Sequence, residues 1–137
     1  MIVKQVSVFV ENTVGRLADL TKILTDNNID LKASTIAETV DFGILRCIVE
    51  EPEKTVKILV ENGFSASISE VTGVSLEDKP GGLHKVLAVL AEAGIAVNYI
   101  YSTIKSAEGK AIIMMKTSDA AKAEEVLKAS GVELAGA

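Results

Sequence analysis

Hydrophobic and polar residues alternate near the start of the chain, which is the pattern of a half-buried β-strand. Val6, Val8 and Val10 fall on one face of this predicted strand, while Gln5 and Ser7 fall on the other. After a short turn the spacing changes to that of an amphipathic helix. The apolar stripe of this predicted helix consists of Leu17, Leu20, Ile23 and Leu24. The chain therefore opens with a strand, a turn and a helix.

The next segment predicts a pair of strands, a second helix and a closing strand. The two strands are expected around Leu31–Glu38 and Ile44–Glu50, and the helix from near Pro52 to Gly63. The helix residues expected to face inward are Val56, Leu59 and Val60. In the closing strand, serines alternate with Phe64, Ala66 and Ile68.

The same pattern then occurs a second time. Gly15 and Gly81 occupy matching turns 66 residues apart. Other pairs at this spacing are Val8 with Val74, Glu11 with Glu77, Asn12 with Asp78, Leu17 with Leu83, and Leu24 with Leu90. The second copy is expected to form strands at Gly73–Glu77, Val97–Ile104 and Ala111–Lys116, helices at Leu83–Ala93 and Asp119–Ser130, and a short last strand. Such similarity indicates a duplication into two domains, residues 1–71 and 72–137.

The order strand-helix-strand-strand-helix-strand predicts the fold class. It is the order of the ferredoxin-like βαββαβ unit, an α+β fold in which both helices cover one face of an antiparallel sheet. Copies of this size bury little surface alone, and the segment SEVTGVS between them contains no flexible spacer. We therefore expect the two repeats to pack as one body.

Composition and the chemistry-bearing residues exclude several classes of function. The formal net charge is −5, so we expect no nucleic-acid partner. No apolar run approaches a membrane span and no signal-peptide pattern is present, which predicts a cytoplasmic protein without a membrane partner. The single histidine, His84, should point outward, and the single cysteine, Cys47, should be buried. With no metal-ligand spacing or phosphate loop, we predict no enzyme activity, no metal and no cofactor.

The two glycine turns are the best candidates for binding. Gly15 and Gly81 each precede the first turn of a helix, where backbone N–H groups lack partners and the helix dipole is positive. A glycine has no Cβ, so a small anion such as a carboxylate can approach these groups. The alternative is a glycine needed only for a left-handed turn, with Asn12 and Asp78 as helix caps. Repetition of the turn favours binding.

The second copy resembles an ACT domain, the small regulatory module of amino-acid metabolism, in the segment DKPGGLHKVLAVLAEAGIAVNYIYS. It shares the Asp-x-x-Gly turn, the leucine-rich helix ending in Ala-Gly-Ile, and the strand with Asn that follows. The first copy, ENTVGRLADLTKILTDNNIDLKAST, is looser. The resemblance covers nearly the whole chain and implies a stand-alone tandem ACT protein, an allosteric regulator that binds a free amino acid.

The resemblance also implies a ligand site, usually at the seam between paired ACT units. Backbone groups of the glycine turn hold the ligand, and side chains at the first turn residue and early in the second strand recognise its amino group. Asp30 suits that strand role, whereas Ala96 does not and Asn98 is a substitute. The implied ligand-binding residues are Asn12, Val14, Gly15, Arg16, Leu17, Asp30, Asp78, Pro80, Gly81, Gly82, Leu83 and Asn98. Because Gly82 is extra and should expose more backbone, either one site or two unequal sites are expected.

Partners follow from the pattern and the resemblance together. The residues from Ile112 to Met115 point apolar groups to both faces of a strand, although helices cover only one face, so we expect a homodimer. The resemblance implies a separate partner enzyme or regulator, since no segment is left over for an effector domain. Two alternatives remain open. One is a regulatory subunit of an amino-acid biosynthetic enzyme with little ligand binding of its own, and the other is an acylphosphatase-like hydrolase using Arg16.

Overall fold

Strands and helices follow one another in the order predicted from the sequence, except that one continuous strand stands where two were expected. The computed structural model describes residues 1–104 and 106–137, and these form two units. The repeat-one unit is Lys4–Ser69, and the repeat-two unit combines Met1–Val3 with Glu70–Ala137. The strands are β1 (Ile2–Glu11), β2 (Ala33–Glu38), β3 (Phe42–Ile48), β4 (Ser65–Glu77), β5 (Val97–Ser102), β6 (Lys110–Thr117) and β7 (Glu133–Leu134). The helices are α1 (Arg16–Asp26), α2 (Pro52–Glu61), α3 (Gly82–Glu92) and α4 (Ala120–Ala129).

In the repeat-one unit the hydrogen-bonded strand order is β2-β3-β1-β4. β3 pairs antiparallel with both of its neighbours, so that Val8 of β1 and Ile36 of β2 both lie opposite Leu45. Val8 and Leu45 join Leu20 of α1 and Leu59 of α2 in one buried cluster. Both helices therefore cover the same face of the sheet, as a ferredoxin-like unit requires.

The repeat-two unit has the equivalent order, β5-β6-β4-β7. β6 pairs antiparallel with β4 and β5, and Val74 of β4 lies opposite Ile113. The core contains Val74, Met115 of β6, Leu90 of α3 and Leu127 of α4. The predicted α+β class, with two ferredoxin-like βαββαβ repeats built from antiparallel strands, is confirmed.

β4 differs from the two separate strands that the sequence predicted. A closing strand was expected after Gly63 and a new strand at Gly73–Glu77, yet β4 runs without a break from Ser65 to Glu77. Its residues up to Ser69 belong to the repeat-one unit and the rest to the repeat-two unit. One strand therefore supplies the last strand of the first βαββαβ unit and the first strand of the second.

In α1 and α2 the residues at the centre of each predicted apolar stripe are buried, whereas a residue at one end of each stripe is exposed. Leu20 and Leu59 are fully buried, whereas Leu17 is 41% exposed and Val60 is 53% exposed. On the same helix Thr55, one turn before Leu59, is buried although it was not predicted to face inward. Leu17 is exposed because its side chain lines a surface cavity.

The centre of the apolar strand β6 is buried within the single chain. Met114 and Met115 are both fully buried in the single chain. Met115 belongs to the repeat-two core, and the Met114 Cε lies 3.2 Å from the point where a Cβ on Gly73 would stand. Met114 therefore needs no partner chain to cover it, and the predicted homodimer must rest on other residues.

Candidate functional site: the two glycine turns

The turn between β1 and α1 is held by its own backbone. Gly15 has φ 86° and ψ −11°, in the left-handed region that glycine favours. The Thr13 N–H donates to the Glu11 carbonyl at 2.9 Å, and the Arg16 N–H donates to the Thr13 carbonyl at 3.3 Å. The Asp19 N–H donates to the Gly15 carbonyl at 2.9 Å, which begins the helix.

The turn between β4 and α3 repeats this geometry. Gly81 has φ 88° and ψ −11°. The Lys79 N–H donates to the Glu77 carbonyl at 2.9 Å, the Gly82 N–H to the Lys79 carbonyl at 3.0 Å, and the Lys85 N–H to the Gly81 carbonyl at 3.1 Å. A Cβ at Gly15 or Gly81 would meet no atom within 4 Å. Backbone conformation, and not crowding, is therefore what requires glycine at both turns.

The turns differ in the backbone donors that they leave open. Within the described part of the chain, repeat one has four N–H groups in the turn and first helical turn without a hydrogen-bond partner, those of Val14, Gly15, Leu17 and Ala18. The matching positions in repeat two are Pro80, Gly81, Leu83 and His84. Pro80 has no N–H. Repeat one therefore presents one more donor for an anion than repeat two does.

Neither predicted helix-capping side chain caps its helix, so the capping part of that alternative is wrong. No side chain accepts a hydrogen bond at the start of α1 or α3. The Asn12 Nδ2 instead donates to the carbonyls of Thr39 and Val40, at 3.3 and 3.4 Å. These bonds tie the turn to the β2–β3 hairpin. Asp78 approaches the corresponding hairpin through its backbone, because its N–H donates to the Gly109 carbonyl at 3.0 Å.

A cavity of about 280 Å³ lies beside the first turn. Its lining residues are Val10, Glu11, Asn12, Thr13, Leu17, Ile36, Glu38 and Gly43. This volume is near the lower end of the range for small-molecule pockets, roughly 300–1,000 Å³. Val14 and Gly15 are not among the lining residues, although they adjoin Thr13 along the chain. The structure therefore places a small cavity with both carboxylate and apolar walls beside Thr13 and Leu17, which flank Val14 and Gly15 in the chain.

Six of the eight lining residues were missed by the sequence reasoning, among them Ile36 and Glu38. Both lie on β2, where Ile36 pairs with Leu45 and Glu38 pairs with Gly43. Because alternate residues of a strand share a face, these two face the same side as the core residue Leu45. The alternation of β2 was a usable signal for this placement. The hairpin pairing that brings Glu38 to Gly43 was not visible in the sequence.

Asp30 and Asn98, the predicted partners of the amino group, do not lie at the turns of their own units. Asp30 is exposed and follows the C-terminal end of α1, whereas Gly15 precedes its N-terminal end. The 11 residues of α1 separate the two ends by roughly 16 Å. Asn98 likewise follows the end of α3, at an irregularity between Val97 and Tyr99 in β5. Within each unit, neither residue is brought to the glycine turn.

Arg16 and Gly82 hold matching positions just after the turn glycines but behave differently. The Arg16 guanidinium lies 4.0 Å from the centre of the Phe64 ring and 3.9 Å from the Asp19 carboxylate. Gly82 is buried, and a Cβ there would stand only 2.2 Å from the Glu77 carbonyl oxygen. The expectation that Gly82 exposes more backbone is therefore wrong. Leu83, like Leu17, is not part of the buried core.

No catalytic arrangement appears among the described residues. Cys47 is buried, and burial raises the pKa of its thiol to about 12, so it is not a ready nucleophile. His84 is exposed, as predicted. Residues 1–104 and 106–137 contain no group of three or more His, Cys, Asp or Glu side chains able to hold a metal ion. None of the helices in these ranges is long and apolar enough to cross a membrane.

Comparison with known proteins gives a family match over almost the full length. The profile of the ACT domain pair matches residues 1–135. No curated protein matched the chain.

Solved structures with the same fold include one of clear sequence similarity. A protein from Bacteroides thetaiotaomicron is 42% identical, with a TM-score of 0.92 over 98% of this chain and 92% of that one. The ligand-free regulatory subunit of aspartate kinase from Thermus thermophilus is 15% identical, with a TM-score of 0.69 over 93% of this chain and 89% of that one. A structure of aspartokinase alpha and beta subunits is 21% identical, with a TM-score of 0.57 over 95% and 96% of the two chains. The latter two likenesses concern the fold alone.

Proposed function

Since this chain belongs to the ACT domain pair family, we propose that it is a non-enzymatic regulator that binds a free amino acid and transmits the signal to a partner protein. One observation carries the proposal. The first turn has backbone N–H groups without partners, and the cavity beside it is lined by Glu38. An α-amino acid has a carboxylate, an ammonium group and a side chain. Each of these parts has a matching feature at this turn.

The carboxylate is assigned to the open N–H groups of Val14, Gly15 and Leu17. These groups lie at the N-terminal end of α1, where the helix dipole favours negative charge. Hydrogen bonds between a carboxylate and backbone N–H groups are charge-assisted and roughly twice as strong as neutral ones. The glycine at position 15 keeps a Cβ away from this approach.

The ammonium group is assigned to Glu38, in place of the Asp30 implied by the family resemblance. Glu38 lines the cavity beside Asn12, and Asn12 donates to the carbonyl of the next residue, Thr39. In repeat two the residue at the matching position is Ile104, which is 67% exposed and carries no charge. The proposed site is therefore stronger in repeat one.

The ligand side chain is assigned to the apolar part of the cavity. Val10, Leu17 and Ile36 supply this wall, and Leu17 and Ile36 are 41% and 46% exposed in the structure. A bound aliphatic side chain would cover them and gain about 25 cal/mol for each Å² of apolar surface removed from water. We therefore propose a small or medium aliphatic amino acid as the ligand.

The regulated partner is proposed to be a separate cytoplasmic enzyme or regulator, with the protein itself a homodimer. Two features support association. Phe9 and Phe42 are 53% and 40% exposed, with ring centroids 5.6 Å apart, and Val40 on the nearby hairpin is 89% exposed. Exposed aromatic groups of this kind are enriched at protein interfaces. An allosteric coupling of about 1–3 kcal/mol between ligand and partner is enough to change binding of the partner severalfold.

Thermal unfolding in the presence of each of the twenty amino acids tests the proposal. A ligand that binds only the folded protein raises the unfolding temperature, and at a concentration 100 times Kd it adds about 2.7 kcal/mol. We expect one or a few aliphatic amino acids to raise the midpoint by several degrees. Absence of a shift with all twenty would reject the ligand part of the proposal.

Two matched charge variants locate the site. Glu38→Gln removes the proposed ammonium partner, and we expect it to weaken binding about tenfold or more, because a hydrogen bond to a charged group contributes about 1.5–3 kcal/mol. Glu92→Gln, at the exposed end of α3, makes the same change of charge away from the cavity and should leave binding unaltered. Equal affinities for the two variants would place the ligand elsewhere.

A second candidate is a regulatory subunit that holds an enzyme and binds little ligand itself. The exposed pair Phe9 and Phe42 favours it, because a contact surface is present whether or not the cavity is occupied. Under this function, alanine at both positions would abolish association with the partner, while no amino acid would shift the unfolding midpoint.

A further inference from the structure

Each unit contains another cavity. It lies between the start of the unit's first helix and the turn that follows its second helix. In repeat one it has a volume of about 190 Å³ and lies between β1, the start of α1 and the turn after α2. In repeat two it has a volume of about 350 Å³ and lies between β4, α3 and the turn after α4. The residues that line the smaller cavity all have counterparts in the lining of the larger one. The two cavities therefore occupy equivalent positions in the two repeats.

Large side chains fill this place in repeat one and small ones leave it open in repeat two. Phe64 is 5% exposed and its ring carries the stacked Arg16 guanidinium at 4.0 Å. Gly63 and Gly131 follow the second helices of the two repeats at a spacing of 68 residues, so Val132 stands at the position of Phe64, and Gly82 stands at the position of Arg16. The contact of Gly82 with the Glu77 carbonyl fixes this difference, because a side chain at Gly82 would not fit.

The charges at the two places also differ. In repeat one the cation Arg16 is paired with Asp19, 3.9 Å away. In repeat two the residue matching Asp19 is Lys85, which lines the cavity and makes no salt bridge or ammonium hydrogen bond within the described residues. The second lining lysine, Lys110, is already paired with Glu133 at 3.1 Å. Lys85 is therefore a cation available to a ligand.

The remaining lining carboxylate, Glu77, is engaged by lysines. Lys79 donates to it, and this hydrogen bond is the main cause that lowers the pKa of Glu77, with smaller contributions from Lys79, Lys85 and Lys110 as charges. Apolar lining comes from Leu76 and from residues of α3 and the last turn, including Val86 and Val132. The cavity thus combines one unpaired ammonium group with a hydrocarbon wall.

We propose that repeat two holds a second ligand site, separate from the glycine turns, in which Lys85 binds the carboxylate of a small aliphatic acid whose hydrocarbon part packs on Leu76 and Val132. A volume of about 350 Å³ suits a ligand of this size. The acid is an aliphatic amino acid or the corresponding 2-oxo acid, which share the carboxylate and the side chain. This site does not depend on the amino-acid site proposed at Gly15.

Amide NMR spectra of the ¹⁵N-labelled full chain, titrated separately with leucine and with 4-methyl-2-oxopentanoate, test the site. We expect saturable shifts of the Lys85, Gly131 and Val132 amides with at least one of the two compounds. Shifts with leucine alone identify an amino-acid site, and shifts with the oxo acid show that no ammonium group is needed. The Val14 and Gly15 amides report the other site in the same spectra, so failure of one proposal is distinguishable from failure of the other.

Three variants complete the test. Val132→Phe introduces the side chain that fills the place in repeat one and should abolish the shifts. Lys85→Gln should weaken binding at least tenfold and, being a change at an exposed residue, should leave the fold intact even if Val132→Phe does not fold. Lys57→Gln, on the exposed face of α2, is the matched control and should bind as the wild type does. No saturable shift with either compound, or unchanged binding by Lys85→Gln, would overturn the proposal.

Discussion

Gly15 stands between Val14 and Arg16, and Gly81 stands between Pro80 and Gly82. Their backbone angles are nearly the same, with φ 86° and 88° and ψ −11° at both. The neighbours decide what each turn can do. In repeat one Val14 keeps an N–H for an anion and the adjoining cavity contains a carboxylate.

In repeat two Pro80 removes that N–H, while Gly82 and Val132 open a different cavity behind the helix start. Duplication has therefore preserved the backbone of the turn while the side chains around it diverged. The two repeats share the backbone conformation of the glycine turn. The residues on either side of the glycine decide which ligand each repeat can bind. Three pairs of substitutions at matching positions test this comparison in order of decreasing effect, and a fourth prediction concerns a matching pair of core residues.

The largest difference is expected between Gly82→Ala and Arg16→Ala, substitutions at matching positions. A Cβ at Gly82 would stand 2.2 Å from the Glu77 backbone oxygen, so the chain must shift. We expect a loss of about 2–3 kcal/mol in the free energy of unfolding, as for other overpacked sites. Arg16→Ala removes the stacking on Phe64 and the exposed ion pair with Asp19, and should cost about 1 kcal/mol or less. Urea denaturation of both variants measures the difference, and equal losses would contradict the account.

Gly15→Ala and Gly81→Ala should be equally destabilising. Each places a Cβ on a left-handed backbone with no steric contact, so each should cost about 1–2 kcal/mol from conformation alone. Amino-acid binding should nevertheless fall more in Gly15→Ala than in Gly81→Ala, because the proposed stronger site is in repeat one. Chemical denaturation and a binding titration on the same samples separate the two quantities. Stability losses that differ by more than about 1 kcal/mol would show that the turns are not equivalent.

Asn12→Ala should cost more than Asp78→Ala, although both effects are small. The Asn12 side chain donates two hydrogen bonds to the β2–β3 hairpin, at 3.3 and 3.4 Å, and these are long enough to be weak. We expect a loss of about 0.5–1 kcal/mol for Asn12→Ala. Asp78→Ala should lie within about 0.5 kcal/mol of the wild type, as for an ordinary surface change. The reverse order would restore a capping role for Asp78.

Cys47 lies opposite Val6 and Met115 lies opposite Thr72, 66 residues after Val6, so the two buried residues occupy matching positions and only the thiol titrates. The pKa of Cys47 is raised by burial from 9.0 to about 12. Its contribution to stability is therefore complete below pH 9 and is lost as the pH rises from 9 toward 12, by about 1.4 kcal/mol for each pH unit. Cys47→Ala should lack this part of the decline, which denaturation at several alkaline pH values would detect. A wild type and variant with parallel pH profiles would contradict a buried protonated thiol.

The sequence predicted those parts of the molecule that local pattern determines. Alternation at Val6, Val8 and Val10 identified the first strand, and these three residues are buried. The turn glycines were identifiable because their conformation depends on neighbours in the chain. The continuous strand β4 was not predicted, because the segment from Ser65 to Glu77 reads locally as two strands.

The candidate site was only partly predictable for the same reason. Asn12 and Leu17 come directly from the turn, and both line the cavity beside it. Glu38 comes from a strand whose register with Gly43 depends on pairing across the sheet, which a single sequence does not reveal. Asp30 was assigned by family resemblance and lies at the other end of α1 from Gly15 in its own unit.

The most direct test of the central claim is a ¹⁵N amide titration with the amino acid that gives the largest rise in unfolding temperature. The account predicts that the Val14, Gly15 and Leu17 amides shift and saturate together, with the Gly81 amide changing less or only at higher ligand concentration. Hydrogen bonding of these N–H groups to a carboxylate is the physical cause of the expected shifts. If the ligand saturates the protein while those three amides stay unchanged, the first turn does not bind the carboxylate and the claim is contradicted.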